Sequence, residues 1–264
     1  MARVVVDLAF KDYLAERATN ATKVKTAIRR SVAHAFLAEP TISREASEFG
    51  QATHAFFEGS YDQVYRGGET RRSKEYKEGA QKALNFGGVC LPDKQFDLAL
   101  AAGHAARSHP SLAHHLDDRH GHFETSIFVF DPETQENLKL RPDWHNPETG
   151  MVVDLKTTQS AKPEDFERQF WKLGYDLQAA FYRYGMRLAE IPVQDEFHFL
   201  AVEKTSPHAT QHFVVEKDVL DAAEERVVAA LHEIAEARDH GEFETNWPPV
   251  TTINLPIWRI KDEV

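Results

Sequence analysis

The sequence of 264 residues contains a single cysteine, Cys90, and has no long apolar run. One cysteine excludes an internal disulfide and a zinc site built from several cysteine thiolates. A helix needs about 20 predominantly apolar residues to cross a bilayer, and no segment approaches that length, so we expect no membrane-spanning helix and no membrane partner. A cytoplasmic location is the default expectation for such a chain.

Positive charge is also in deficit, because 31 lysine and arginine residues stand against 42 acidic residues and the formal net charge is −11. This balance argues against a protein that simply coats nucleic acid through phosphate contacts. It leaves room for an enzyme that lines one channel with basic side chains. Two local basic clusters fit DNA contact and solvated helix faces equally well: Lys23, Lys25, Arg29 and Arg30, then Arg66, Arg71, Arg72, Lys74 and Lys77.

Apolar spacing predicts a helical first part of the chain. Apolar residues at four-residue spacing predict a helix over residues 22–38, and a second helix is predicted over 43–58. The stretch 59–79 is polar and contains glycines, so it predicts an exposed loop. A further helix is predicted after Pro92, ending near residue 109.

The pattern changes at residue 123 to β-branched and aromatic residues. Strands are predicted at 123–130, 138–143 and 151–158, and turn residues between them indicate a three-stranded antiparallel meander. The later segments are predicted as a helical region over 163–190 divided at Gly174, strands over 196–203 and 211–215, and a helix over 218–238. This order predicts an α/β fold in which a central mixed β-sheet with an antiparallel meander is flanked by helices.

The whole chain, residues 1–264, is expected to form one domain. Its parts are a helical region to about residue 122, a core over about 123–215, and a C-terminal helix and tail over 216–264. The proline-broken tail is expected to pack as an extended segment.

Two carboxylates and a lysine carry the chemistry predicted for the core. Asp154 and Lys156 point to the same face of their strand because side chains alternate along it. If residues 144–150 form the connection, Asp143 lies across the hairpin from about residue 152, and its carboxylate lies close to that of Asp154. Adjacent carboxylates repel unless a cation neutralises them, and converging oxygen ligands suit Mg²⁺. Lys156 is then placed to orient or activate an attacking water.

A salt-bridged surface hairpin is the alternative interpretation of these residues. The Asp-x-Lys triplet alone favours it, with Asp154 paired to Lys156 or to Arg141. Adding Pro142-Asp143 upstream, across a plausible turn, balances the two interpretations.

A histidine-rich stretch is a second candidate metal site. It contains His104, His109, His114, His115, His120 and His122. Neutral imidazoles bind zinc, but the spacings are irregular and Pro110 interrupts them. A solvated loop is therefore favoured over a zinc site.

Several short motifs, in a fixed order, resemble the signature of the PD-(D/E)XK nuclease superfamily. RPD–x10–DLKTT contains Asp143, Asp154 and Lys156, and YDLQAAFY resembles the Gln-x-x-x-Tyr motif of the RecB-like branch. FGQATH resembles that branch's Gly-x-x-x-His element, from Gly50 to His54, and GHFETSIFVF places Glu124 where those nucleases carry an acidic residue. The tail, with Trp247-Pro248 and Leu255-Pro256-Ile257-Trp258, resembles the end of the RecE (exonuclease VIII) C-terminal nuclease domain.

The resemblance implies an isolated nuclease domain, of phage type, that acts as a 5′→3′ exonuclease on linear double-stranded DNA. It implies Mg²⁺ as the cofactor, with two ions in the site and Mn²⁺ as a substitute. Members of the family assemble as homo-oligomeric rings, so a trimer or tetramer around DNA ends is expected, with a RecT-type single-strand annealing protein as partner. A PD-(D/E)XK endonuclease, a single-strand-specific nuclease and a catalytically silent DNA-binding module stay open as alternatives.

The resemblance also implies site residues by position. Asp143 and Asp154 would hold the metal with the backbone carbonyl of Leu155. His54 and Glu124 would complete the site, although each, taken alone, also fits an ordinary structural position. Lys156 would be the catalytic base or the group that orients water. The residues implied to contact DNA or to support the site are Gln178, Tyr182, Arg141, Thr157, Arg71 and Arg72.

Overall fold

The computed structural model describes residues 2–6, 8–39, 43–116, 119, 121–245 and 247–254. The helices in these ranges are α1 (Phe10–Ala15), α2 (Ala21–Arg29), α3 (Val32–Leu37), α4 (Arg44–Glu58), α5 (Lys74–Phe86), α6 (Asp93–Arg107), α7 (Pro163–Leu173), α8 (Tyr175–Leu188) and α9 (Lys217–His240), with a short 3₁₀ turn at Tyr61–Gln63. The strands there are β1 (Arg3–Val5), β2 (Val64–Arg66), β3 (Val89–Leu91), β4 (His122–Phe123), β5 (Ser126–Asp131), β6 (Glu136–Leu140), β7 (Trp144–His145), β8 (Val152–Thr158), β9 (Phe197–Glu203) and β10 (Thr210–Val215). No helix in the described ranges is long and apolar enough to cross a membrane.

A five-stranded mixed sheet lies at the centre of the molecule. Its strand order is β10-β9-β8-β7-β4, with β8 and β9 parallel and the other neighbours antiparallel. A three-stranded antiparallel sheet, β1-β5-β6, and a parallel pair, β2-β3, accompany it among the described residues. The prediction of an α/β fold with a mixed central sheet flanked by helices is confirmed.

Separate apolar cores cover the two faces of the central sheet. On β8, Val152 packs with α2, α8 and α9, whereas Val153 and Leu155 pack with Phe57 of α4 and with alanines of α6. Successive side chains of a strand point to opposite faces. Asp154 therefore shares the face of Val152 and points toward α2 and α8.

Most predicted elements are present. Helices α4 and α6, strands β9 and β10 and helix α9 occupy the predicted segments. Gly174 separates α7 from α8 and adopts φ 65°, a left-handed conformation that favours glycine. The described part of the tail, 247–254, has no helix or strand, and the predicted motif at 255–258 lies outside the described residues.

The predictions for the N-terminal part of the chain were wrong in two places, one a helix and one a loop. The single helix expected over 22–38 is two helices, because the Ser31 side chain accepts a hydrogen bond from the backbone N–H of His34 and begins α3. The loop expected over 59–79 contains β2 and the first turns of α5, whose N-cap is Ser73. Because α5 buries little more than Tyr76 and Gly79, its sequence is as polar as a loop.

The predicted meander is divided between two sheets. Strands β5 and β6 pair in the three-stranded sheet, and the chain then passes through Pro142 into β7, which pairs with β8 in the central sheet. Proline has no N–H to donate to a ladder, which favours a break at this point. The register was also wrong: Trp144 pairs with Val153, so by extension Asp143 faces Asp154 rather than residue 152.

Candidate active site

Helix α4 carries one side of the candidate site. His54 and Glu58 lie four residues apart, on one face of this helix. The helix packs closely against α6 because Gly103 of α6 lacks a side chain. A Cβ on Gly103 of α6 would lie 2.6 Å from the Cβ of Phe56, and a Cβ on Gly50 would lie 3.9 Å from the Thr157 hydroxyl of β8. The first of these distances is too short for any other residue without movement of the helices.

His54, Glu124 and Asp143 converge at one point. His54 Nδ1 lies 3.3 Å from Asp143 Oδ1, and one ligand atom from each of the three residues lies within 4.8 Å of the other two. Imidazole nitrogen and carboxylate oxygen donors in this number could hold a divalent metal ion. We call these three residues the metal-type cluster. Within the described residues, it is the group of three or more such side chains whose ligand atoms lie close enough to hold one ion.

Glu124 is fixed in the cluster by its backbone and by Arg141. Its φ of 51° is left-handed, which is uncommon for a residue other than glycine, and its N–H donates to the carbonyl of Asp143 at 3.1 Å. The Arg141 guanidinium pairs with the Glu124 carboxylate and donates to the carbonyl of Leu8 at 2.8 Å. Arg141 therefore faces the interior behind Glu124, and its side chain is engaged within the protein.

Asp154 and Lys156 form the second half of the site, joined by Gln178 of α8. Lys156 Nζ lies 2.5 Å from Asp154 Oδ2. Gln178 donates from Nε2 to Asp154 Oδ1 at 2.5 Å and accepts from Lys156 Nζ at 3.1 Å. The aromatic ring of Tyr175 lies beneath the ammonium group, 4.7 Å from ring centroid to Nζ.

The two halves are connected through the backbone of β8. The Leu155 N–H donates to Asp143 Oδ2 at 2.6 Å. The side chain of Leu155 belongs to the core on the opposite face of the sheet. This hydrogen bond holds the two carboxylates, Asp143 and Asp154, in a fixed relation; the carbonyl of Leu155 stays a predicted ligand.

Like charges crowd the site and shift its pKa values. Burial lowers the pKa of His54, but the carboxylates of Asp143 and Glu124 outweigh it and raise that pKa to about 9. Burial and the adjacent Glu124 carboxylate raise the pKa of Glu58 to about 9. Burial also raises the pKa of Asp154 to about 6, against the opposing effect of Lys156. Not all of the carboxyl groups in the site can therefore be ionised together. A bound divalent cation would reduce the repulsion between the carboxylates and lower their pKa values.

The other predicted residues take different positions. Tyr182 donates from its hydroxyl to the carbonyl of Arg141 at 3.2 Å, so it supports the segment between β6 and β7 that carries Asp143. Arg71 bonds to Glu48 of α4 and to the hydroxyl of Tyr76. Its neighbour Arg72 is exposed. The contacts of Arg71 lead away from the metal-type cluster and toward α5.

The histidine-rich stretch is distributed over the surface. His104 on α6 bonds to the hydroxyl of Tyr61 at 2.9 Å, and His109 bonds to Ser111 at 3.0 Å. Within the described residues these histidines form no group with metal-binding geometry. His120 lies outside the described residues.

Sequence reasoning missed Glu58 and left Lys25 as one of several surface cations. The signal for Glu58 was its position four residues after His54 on the same helix. Lys25 of α2 donates to Gln178 at 3.3 Å, so it lies beside Lys156. Only the packing of α2 against α8 brings Lys25 there.

Residues 25–246 match the family described as a PDDEXK-like domain of unknown function (DUF3799). The chain belongs to this family. The matched range contains every residue of the metal-type cluster together with Asp154, Lys156 and Gln178. The resemblance to the PD-(D/E)XK superfamily is thereby confirmed, and the fold is that of a PDDEXK-like nuclease domain.

One solved structure has a similar fold, and a second is similar with a lower score. A protein provisionally described as an exonuclease, from Eubacterium rectale, is similar with a TM-score of 0.63 and 15% sequence identity, over 98% of this chain and 100% of that one. A phage-related exonuclease from Haemophilus somnus 129PT has a TM-score of 0.41 and 12% identity, over 88% of this chain and 99% of that one. A comparison with curated protein sequences found no match.

Proposed function

We propose that this PDDEXK-like domain is a divalent-metal-dependent exonuclease that degrades linear double-stranded DNA 5′→3′ and leaves 3′ single strands for recombination by strand annealing. The observation that carries the proposal is the metal-type cluster of His54, Glu124 and Asp143 beside the Asp154–Lys156 pair. Hydrolysis of a phosphodiester needs a fixed array of positive charge around the phosphate and an oriented water. The site combines ligands for a cation with an ammonium group, as this chemistry requires.

The donor set fits Mg²⁺, with Mn²⁺ as a substitute. His54, Asp143 and Asp154 would hold the metal with the carbonyl of Leu155, and Glu124 would complete the site or hold a second ion. When bound, the metal supplies a Lewis acid for a phosphate oxygen. The surplus of carboxyl groups described above supports this assignment, because a cation would let them ionise together.

Lys156 would orient the attacking water and stabilise negative charge on the phosphate. Burial lowers its pKa, but Asp154 and the Tyr175 hydroxyl outweigh this and raise the pKa above its usual value. The ammonium form is therefore present in the free site. Gln178 holds that ammonium at 3.1 Å from its own oxygen.

The proposal is tested with one DNA duplex that carries different labels on its 5′ and 3′ ends and with the same DNA as a closed circle. We expect release of the 5′ label as short products only when Mg²⁺ or Mn²⁺ is present, retention of the 3′ label on a single strand, and no attack on the circle. Cleavage of the circle at a comparable rate would identify an endonuclease. Digestion of single strands alone would identify a single-strand-specific enzyme, and binding without cleavage would identify a silent module.

A homo-oligomeric ring and a RecT-type annealing partner complete the proposal. Supporting the ring, several large apolar side chains are exposed, among them Leu84 at 78% and Phe86 at 81%. An acidic outer surface with a basic channel would also account for the net charge of −11. Light scattering in solution should give the mass of three or four chains. A monomer at working concentrations would contradict the ring.

A further inference from the structure

Two lysines share one hydrogen-bond acceptor beside the candidate site. The Gln178 side-chain oxygen accepts from Lys156 at 3.1 Å and from Lys25 at 3.3 Å. Lys156 is neutralised by Asp154. In the described part of the chain, no carboxylate lies within 4.0 Å of the Lys25 ammonium. Lys25 thus brings a positive charge to the site that forms no ion pair with any carboxylate of the described residues, although Asp154 and Asp176 lie near enough to act on it.

A second cation that has no ion pair among the described residues follows Lys25 along α2. Arg29 lies four residues later, on the same face of the helix and about one turn away, and the two charges are close enough for Arg29 to lower the pKa of Lys25 further, after burial and Lys156. Arg29 packs on the backbone of Gly174, where a Cβ would lie 3.2 Å from its Cδ. Its guanidinium donates to the carbonyl of Trp171 at 3.2 Å.

Trp171 ends this line of residues with an exposed aromatic surface. Its side chain is 52% exposed, in the last turn of α7. Its ring makes an edge contact with Phe170, at 4.9 Å between centroids. An exposed indole whose backbone is bonded by one of two neighbouring cations is a combination suited to single-stranded nucleic acid, because cations track the phosphates and a base stacks on the ring.

We propose that Lys25, Arg29 and Trp171 form a binding track for a single DNA strand, which leads from Lys156 away from the metal-type cluster. Lys25 and Arg29 contact successive phosphates, and Trp171 stacks on an unpaired base. The inference rests on the proposed function, because the strand is taken to be the one whose end lies at the site. The net charge of the chain is −11, so the protein as a whole repels DNA. A DNA strand therefore needs a local group of cations, such as Lys25 and Arg29, to bind.

Burial of Lys25 agrees with this assignment. Burial, with Lys156 adding to it, lowers the pKa of the Lys25 ammonium to about 8. The ammonium group is therefore still charged at neutral pH. A phosphate beside it would offset the free-energy cost of burying that charge.

The test measures binding of a fluorescently labelled single-stranded oligonucleotide by anisotropy, without divalent metal, at several salt concentrations. A plot of the logarithm of the binding constant against the logarithm of the salt concentration has a negative slope. For single strands, each phosphate contact contributes about 0.7 to the size of that slope. The Lys25→Gln/Arg29→Gln double variant should therefore bind more weakly, with a slope shallower by about 1.4. The matched control, Lys82→Gln/Lys94→Gln, removes two exposed charges from α5 and α6 and should leave the slope unchanged.

Two further variants separate charge, stacking and packing. Lys25→Arg should keep the slope of the unaltered protein. Trp171→Leu should weaken binding with an unchanged slope. It should also remove part of the quenching of protein tryptophan fluorescence that the oligonucleotide causes. An unchanged affinity and slope in the double variant would overturn the track. The track would also be overturned if the Lys25→Arg variant bound the oligonucleotide as weakly as a Lys25→Gln single variant. A loss of packing, rather than a loss of charge, would then explain both results.

Cleavage by the unaltered protein decides the proposed function separately. Cleavage of linear DNA together with an unchanged salt slope in the double variant overturns the track alone. Salt-dependent binding through the track without cleavage overturns the exonuclease and leaves the track in place.

Discussion

Gln178 donates its side-chain N–H to Asp154 at 2.5 Å from a position where it is only 8% exposed. The orientation of its amide is fixed by its neighbours, because the oxygen must face the ammonium groups and the nitrogen must face the carboxylate. One side chain on α8 thus positions both Asp154 and Lys156. The Gln-x-x-x-Tyr motif supports the site by orienting the residues that we propose to be catalytic.

We predict that Gln178→Leu lowers kcat about 10–100-fold, with a smaller change in KM. The reason is that Asp154 and Lys156 would lose their common partner while the contacts to DNA remain. Steady-state rates on linear duplex DNA measure this, and Gln81→Leu on the exposed face of α5 is the control. Equal changes in kcat and KM for Gln178→Leu would show that the residue serves binding instead.

Lys156→Met should remove cleavage while the fold and DNA binding are kept. Methionine fills similar space but brings no positive charge, and the loss of a group that stabilises developing charge lowers kcat about 10²–10³-fold. Single-turnover cleavage and thermal unfolding of the same preparation measure the two effects. Cleavage within a few-fold of the unaltered protein would exclude Lys156 from the chemistry.

His54→Ala should weaken metal binding by at least about tenfold, because it removes one donor of the metal-type cluster. Titration calorimetry with Mn²⁺ measures the change directly, without DNA or turnover. His240→Ala, at the exposed end of α9, removes a histidine far along the chain from the cluster and should bind Mn²⁺ as the unaltered protein does. Equal affinity in both variants would place the metal elsewhere.

The central part of the site could be predicted because its geometry is local. Asp154 and Lys156 share one face of a strand by simple alternation, and Asp143 returns beside them through a short turn. The structure confirms that these groups lie together, although the register places Asp143 opposite Asp154 itself. Their roles in catalysis stay predictions.

The remaining parts depend on contacts between distant segments. Lys25 reaches the site through packing of α2 on α8, and it lies 153 positions before Gln178 in the sequence. Helix α5 was missed because only a few of its side chains are buried. The three-stranded sheet that takes β5 and β6 is completed by β1, which comes from the N-terminal part of the chain. Periodicity in a single segment contains no information on such pairings.

Stability should fall in mild acid because of a histidine pair on the central sheet. Burial, followed by the charge of His212, lowers the pKa of His198 to about 4, well below the usual 6.5. Between these values the unfolded chain binds a proton that the folded chain excludes. The stabilisation is therefore fully present above pH 6.5 and is lost as the pH falls toward about 4.

Urea unfolding at about pH 7.5 and about pH 5 measures this loss. The His198→Gln variant should lose less free energy of unfolding between the two pH values than the unaltered protein. His232→Gln, at an exposed position on α9, should lose as much as the unaltered protein. An equal loss in all three proteins would show that His198 does not titrate as its burial requires.

The position of His54 should depend on a glycine of the neighbouring helix. Gly103 of α6 lies against α4, where a Cβ would come within 2.6 Å of the Phe56 Cβ and 3.0 Å of the Thr53 carbonyl oxygen. Neither atom is the flexible end of a side chain, so Gly103→Val must push the two helices apart. Overpacking of this kind costs about 1–3 kcal/mol in the free energy of unfolding.

Because α4 carries both His54 and Glu58, the same displacement should weaken Mn²⁺ binding as well as stability. Urea unfolding and Mn²⁺ titration of Gly103→Val measure the two effects. Ala101→Val, at an exposed position of the same helix, should change stability by less than about 0.7 kcal/mol through helix propensity and leave Mn²⁺ affinity unchanged. A Gly103→Val protein that is destabilised but binds Mn²⁺ normally would show that the cluster does not depend on the close approach of α4 and α6.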